Sequence, residues 1–100
     1  MSIKLKKLHD EFIDLYDDLC ETIESYAFGK SIVYLSIAGS SILGSWPRKK
    51  EWDEQFGTGE DSSKLFRDVL EEYARQNQWV DEGYHIYKGR QTRRYRLPRT

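Results

Sequence analysis

Residues 80–100 read V-D-E-G-Y-H-I-Y-K-G-R-Q-T-R-R-Y-R-L-P-R-T, and the fold turns on how this stretch is read. Tyr84 to Tyr87 and Thr92 to Leu97 are rich in aromatic and β-forming side chains. Lys88-Gly89-Arg90-Gln91 between them carries the glycine a tight turn needs, so the spacing predicts a β-hairpin. With Gly89-Arg90 as a two-residue loop, Tyr87 faces Thr92, His85 faces Arg94 and Tyr84 faces Tyr95. Alternation then puts Ile86, Tyr84, Tyr95 and Leu97 on a core-facing side and His85, Tyr87, Thr92, Arg94 and Arg96 on the other. Arg93 falls on the core side in this register and has to snorkel to the rim. The outer face is cationic and aromatic, which suits a nucleic-acid backbone. Guanidinium groups pair with phosphates and release counterions, and Tyr and His rings lie against sugars or bases. The candidate contacts are His85, Tyr87, Lys88, Arg90, Arg93, Arg94 and Arg96. The plainer reading of the same residues is a solvated edge hairpin that its arginines keep from pairing.

Upstream, Leu5, Leu8, Phe12, Leu15, Leu19, Ile23 and Tyr26 recur at spacings of three and four, which predicts one long amphipathic helix from Ile3 to about Tyr26. Its opposite face carries Asp10, Asp14, Asp17, Glu21 and Glu24 with Glu11 and Asp18 alongside. Like charges at helical spacing cost a few tenths of a kcal/mol per pair. Solubility explains such a face; so does contact with a basic partner, and Asp10, Asp14, Asp17, Asp18, Glu21 and Glu24 are the residues that contact would use. The apolar stripe also suits a seam between two copies of the chain, a homodimer through this helix.

Phe28-Gly29-Lys30 ends the helix with a left-handed cap. Residues 31–38, S-I-V-Y-L-S-I-A, have the length of a strand. Gly39-Ser40-Ser41 could then turn the chain into a second strand at residues 42–46, while a buried helix over residues 31–43 is the alternative. Pro47 opens a short helix anchored by Trp52 and Phe56. Residues 57–60 form a loop, and Asp61 or Ser62 caps a further helix running to about Gln78. On that helix Leu65, Phe66, Val69, Leu70, Tyr73 and Ala74 face inward, with Lys64, Arg67, Asp68, Glu71, Glu72 and Arg75 outside. The fold class is therefore α+β in one domain: long helix, short β segment, two further helices, hairpin.

Two helices followed by a basic hairpin from Pro47 onward is similar to a winged helix-turn-helix, across roughly half the chain and without a diagnostic motif. The resemblance implies that Ser63, Lys64 and Arg67 begin a recognition helix and that Lys88, Arg90, Arg93, Arg94 and Arg96 form the wing. Transcription regulation by a DNA-binding dimer is the process it implies. The competing class is a small adaptor or inhibitor of phage or mobile-element type, acting through the acidic helix on a basic protein.

Composition narrows the field further. The 100 residues carry a net charge of −1, but residues 1–60 hold seven Lys/Arg against eleven Asp/Glu and residues 61–100 hold nine against six. That argues against broad coating of nucleic acid and leaves room for a local basic contact. No run approaches the roughly 20 apolar residues of a membrane span, and acids follow the N-terminal lysines where a signal peptide needs an apolar stretch, so the expected compartment is the cytoplasm, or the nucleus in a eukaryote. Cys20 is the only cysteine, and His9 and His85 lack ligand-like spacing, so no zinc site, other metal or cofactor is predicted. Gly39 to Gly44 has phosphate-loop glycine spacing, but Ser45-Trp46 stands where Lys and Ser/Thr are required. With no G-x-S-x-G either, the sequence predicts a protein that is not an enzyme.

Overall fold

The computed structural model describes residues 3–98. Five helices, α1 (Ile3–Glu11), α2 (Ile13–Ala27), α3 (Leu35–Ser45), α4 (Lys49–Phe56) and α5 (Glu60–Gln76), pack with three strands, β1 (Ile32–Tyr34), β2 (Val80–Tyr87) and β3 (Arg90–Arg96). The antiparallel sheet has the order β1-β3-β2, so the last strand is central and β1 reaches it from the other end of the chain. The α+β class is as the sequence implies. No helix among the described residues is long and apolar enough to cross a membrane.

The apolar stripe of the first segment is buried as its periodicity requires: Leu5, Leu8, Leu15, Leu19 and Ile23 all lie in the core. It is not one helix, however. Phe12 leaves helical geometry (φ −130°, ψ 40°) and separates α1 from α2, although its N–H still donates to the Leu8 carbonyl and its own carbonyl accepts from Tyr16. The Phe12 ring meets Phe56 edge-on at 5.5 Å, a contact across to α4 that the helical repeat does not encode. The stripe thus lies inside the chain's own core.

The segment after Gly29 combines its two expected forms, a short strand first and then the helix kept as the alternative. Only Ile32–Tyr34 is strand, the second strand over residues 42–46 is absent, and helix α3 takes its place. The switch occurs where the Thr92 hydroxyl of β3 accepts the Ser36 N–H at 2.9 Å, satisfying one of the free donors at the start of α3. That partner is remote in sequence, so no local pattern announces the boundary.

Pro47 and Arg48 form a turn, and α4 starts two residues later than expected. Trp52 is fully buried at the centre of the core, tilted against Phe56 (5.2 Å) and edge-on to Trp46 (5.7 Å). Both indoles find acceptors: Trp52 Nε1 donates to Ser62 Oγ at 2.6 Å and Trp46 Nε1 to Asp18 Oδ1 at 2.6 Å. Neither Asp61 nor Ser62 caps α5; Gly59 holds the cap position, and Ser62 is buried beneath Trp52 instead.

The hairpin turns one residue earlier than expected. Tyr87 pairs with Arg90 around a Lys88-Gly89 loop, and both loop residues have positive φ (52° and 76°), the backbone of a tight hairpin turn. Observed pairs are His85 with Thr92 and Tyr84 with Arg93, so the register slips by an even number of residues and the predicted sides stand. Tyr95 is buried and Leu97 packs against the core, but Tyr84 and Ile86, expected to dock on it, are 63% and 80% exposed. A bulge between Asp81 and Tyr84 inserts one residue into β2 and reverses the sides of everything before it.

Candidate nucleic-acid interface

A groove of about 750 Å³ runs between α3, α5 and the hairpin. Phe66, Leu35 and Leu43 supply apolar lining, and α3 contributes small residues, Ser36, Gly39, Ser40 and Gly44. The lining cations are Lys49, Arg67, Arg90 and Arg93, against a single carboxylate, Glu71, among the described lining residues. Gly39 of α3 faces the Phe66 ring of α5, where an added Cβ would make an ordinary contact at 3.5 Å. The groove thus brings Arg67 of the expected recognition helix together with Arg90 and Arg93 of the expected wing.

These cations are not equivalent. Lys49 pairs with Asp53 at 2.7 Å. Arg93 does reach the rim, where Asp81 accepts from it, Tyr84 Oη accepts from its Nη2 at 3.2 Å, and Glu71 lies 3.9 Å away. Among the described residues neither Arg67 nor Arg90 has an acidic partner. Both are exposed and free to meet an anion. Lys64 is exposed on α5 outside the groove lining, and Lys88 at the hairpin tip lies 5.4 Å over the Tyr87 ring.

On the other side of the sheet the structure changes the reading of the hairpin. Glu82, turned to this side by the bulge, accepts from Arg94 Nε at 2.9 Å and from Arg96 Nε at 2.8 Å. The bond from Arg96, followed by the charges of Arg96 and Arg94, holds the Glu82 carboxyl below its ordinary value. The Gly83 N–H, with Arg93 behind it, does the same for Asp81. Tyr34 of β1 and Tyr87 of β2 stack across β3 at 4.1 Å, and Thr92 is buried on that side. His85 Nε2 donates to the Glu82 carbonyl at 3.0 Å. His85, Tyr87, Arg94 and Arg96 are therefore engaged within the sheet, and Arg94 and Arg96 already have a carboxylate.

The acidic helix face is also divided. Arg48 bridges Asp14 (3.0 Å) and Asp18 (3.8 Å) to Glu51 (2.9 Å), tying α2 to α4. Asp10, Asp17, Glu21 and Glu24 remain exposed without a basic partner among the described residues.

One polar cluster was not expected at all. Glu72 is not on the outer face of α5; it is 6% exposed, accepts the Tyr16 hydroxyl at 2.6 Å, and has His9 Nε2 2.9 Å from the same oxygen. Burial first, then the bond to Glu72, pushes the Tyr16 hydroxyl well above the ordinary phenol range, so Tyr16 is the donor. Nearby Cys20 is likewise pushed up by burial. The helical repeat contained the signal, since Glu72 follows Leu65 and Val69 along the buried stripe, but its charge argued against the position. Among the described residues no three His, Cys, Asp or Glu side chains converge as metal ligands would. No family model, curated protein or solved structure matches the chain.

Proposed function

We propose that the chain binds nucleic acid in the groove between α5 and the β2–β3 hairpin. The observation that carries this reading is the convergence of Arg67 and Arg90, from separate elements, on one concave surface with no carboxylate paired to either. Unpaired arginines that share a groove place phosphate-binding groups where desolvating them breaks no existing ion pair. The reading keeps α5 and the hairpin in the paired roles a winged helix-turn-helix gives them, but rests the contact on Arg67 and Arg90 instead of on Arg94 and Arg96, which Glu82 already holds.

Fluorescence anisotropy of labelled oligonucleotides across a salt series tests it. Binding weakens as salt rises, and Arg67→Glu with Arg90→Glu removes most of it and flattens the log–log salt slope by about 0.7–0.9 per lost phosphate contact. The corresponding reversal on the acidic face, Asp17→Lys with Glu21→Lys, does not weaken binding. Absence of binding at low salt, or a groove double reversal that binds like the parent, overturns the proposal.

A further inference from the structure

The geometry points to a single nucleic-acid strand, not a duplex, as the occupant of this groove, with a base lying on the ring of Tyr84; the inference rests on the nucleic-acid reading above. Tyr84 lines the groove and is 63% exposed. It is also held in place. The Arg93 guanidinium lies 4.9 Å from the ring centroid, Nη2 of the same arginine donates to the phenol oxygen at 3.2 Å, and Asp81 fixes Arg93 in turn. One face of the ring is thereby backed by a cation while much of the side chain stays open to solvent. A fixed, open aromatic ring is a platform on which any base can stack, because every base has a π-face. Ile86, 80% exposed two residues along β2 and therefore on the same side, extends the platform.

Shape and charge favour one strand over two. Reading a duplex requires an element that protrudes into a groove about 12 Å wide. The exposed start of α5 instead presents Glu60 and Asp61 ahead of Lys64, Asp61 being offset in part by Lys4 at 3.6 Å, so the helix end offers no net cation to a phosphate backbone. The basic surface is concave, and its volume falls in the range of clefts that take a small ligand, roughly 300–1,000 Å³. Arg67 and Arg90 would track phosphates while the Tyr84 ring takes a base, the combination that sequence-tolerant single-strand binders use.

Anisotropy with the full chain and four labelled probes of equal length decides the matter: an oligo-dT strand, an oligo-rU strand, an abasic strand of the same backbone, and a duplex. The expected result is that dT or rU binds at least tenfold more tightly than the duplex. Tyr84→Ala then weakens binding to the base-bearing strand about tenfold while leaving the abasic strand unchanged, and Tyr84→Phe, which keeps the ring, retains most of the affinity. Two results overturn the inference and leave the nucleic-acid reading standing: a duplex bound as tightly as the strand, or a Tyr84→Ala loss that is equal on abasic and base-bearing strands. Failure to bind any of the four probes at low salt overturns both. The strand-against-duplex comparison needs no variant and stands even if Tyr84→Ala disturbs the hairpin.

Discussion

The buried carboxylate of Glu72 makes a sharp prediction about coupling. Its Oε1 accepts the Tyr16 hydroxyl at 2.6 Å inside the core, with His9 Nε2 at 2.9 Å, and both Tyr16 and Glu72 are buried. Tyr16→Phe leaves a buried carboxylate one donor short, and hydrogen bonds to charged groups contribute about 1.5–3 kcal/mol. Glu72→Leu, similar in size, strands the Tyr16 hydroxyl without an acceptor, a cost of about 1–3 kcal/mol. His9 loses less, since its ring is partly exposed and reaches water. In the double variant both ends of the bond are gone and neither is left unsatisfied. Its destabilisation should therefore fall short of the sum of the single variants by about 2 kcal/mol, a coupling within the range seen for contacting polar pairs. Urea unfolding at neutral pH reads this directly as midpoints at constant slope. In thermal melts a loss of about 2 kcal/mol corresponds to a fall of roughly 8–16 °C for a domain of this size. Single-variant losses that add to within about 0.5 kcal/mol in the double would show that the two groups do not act as a pair, and the packing of α5 against the α1–α2 bend would need another account.

Two further predictions concern the hairpin. Gly89 has φ +76° with open space around its Cβ position, so Gly89→Ala meets only backbone strain and should cost about 1–2 kcal/mol, while Lys88→Gly, relieving φ +52° in a non-glycine residue, should cost far less; an unchanged melting temperature for Gly89→Ala would place the turn elsewhere. Asp81 and Glu82 both have lowered folded-state values, so their contribution is present in full above the ordinary 3.8 and 4.5 and is lost as pH falls through the lowered values; urea midpoints from pH 7 to pH 3 should drop along an acid limb that Asp81→Asn with Glu82→Gln makes shallower, and an identical limb in that variant would refute the assignment.

What the sequence revealed and what it hid divide along one physical line. Features set by local periodicity were legible: the buried stripe from Leu5 to Ile23, the Trp52 and Phe56 anchors, the inward face of α5, and which hairpin residues share a side. Features set by partners distant in the chain were not. The bend at Phe12 belongs with Phe56 of α4, and the end of β1 coincides with a hydroxyl from β3. Glu72 is tolerated in the core because Tyr16 and His9 meet it there. A helical repeat places Glu72 inward, yet without those two partners burying it would be costly, so the sequence alone favours the wrong face.

The same distinction relocates the candidate site. Five cations between Lys88 and Arg96 make the hairpin look like a basic prong, but Asp81 and Glu82 lie near the start of its first strand, where as neighbours they face opposite sides and the bulge before Tyr84 sets which side each takes. Asp81 takes Arg93 on one side and Glu82 takes Arg94 and Arg96 on the other. Counting charges along the chain therefore overstates the field the hairpin offers to a phosphate, because a ligand competing for these arginines has to displace a carboxylate already in place. The groove-lining cations that escape such pairing, Arg90 near the turn and Arg67 on α5, are not neighbours in sequence, and it is α3, packed against both β3 and α5, that brings them to one surface. On this argument the paired arginines make the hairpin rigid, Arg93 by bracing Tyr84 and Arg94 and Arg96 by closing on Glu82, while the binding proposed for the groove rests on its two arginines that have no carboxylate partner.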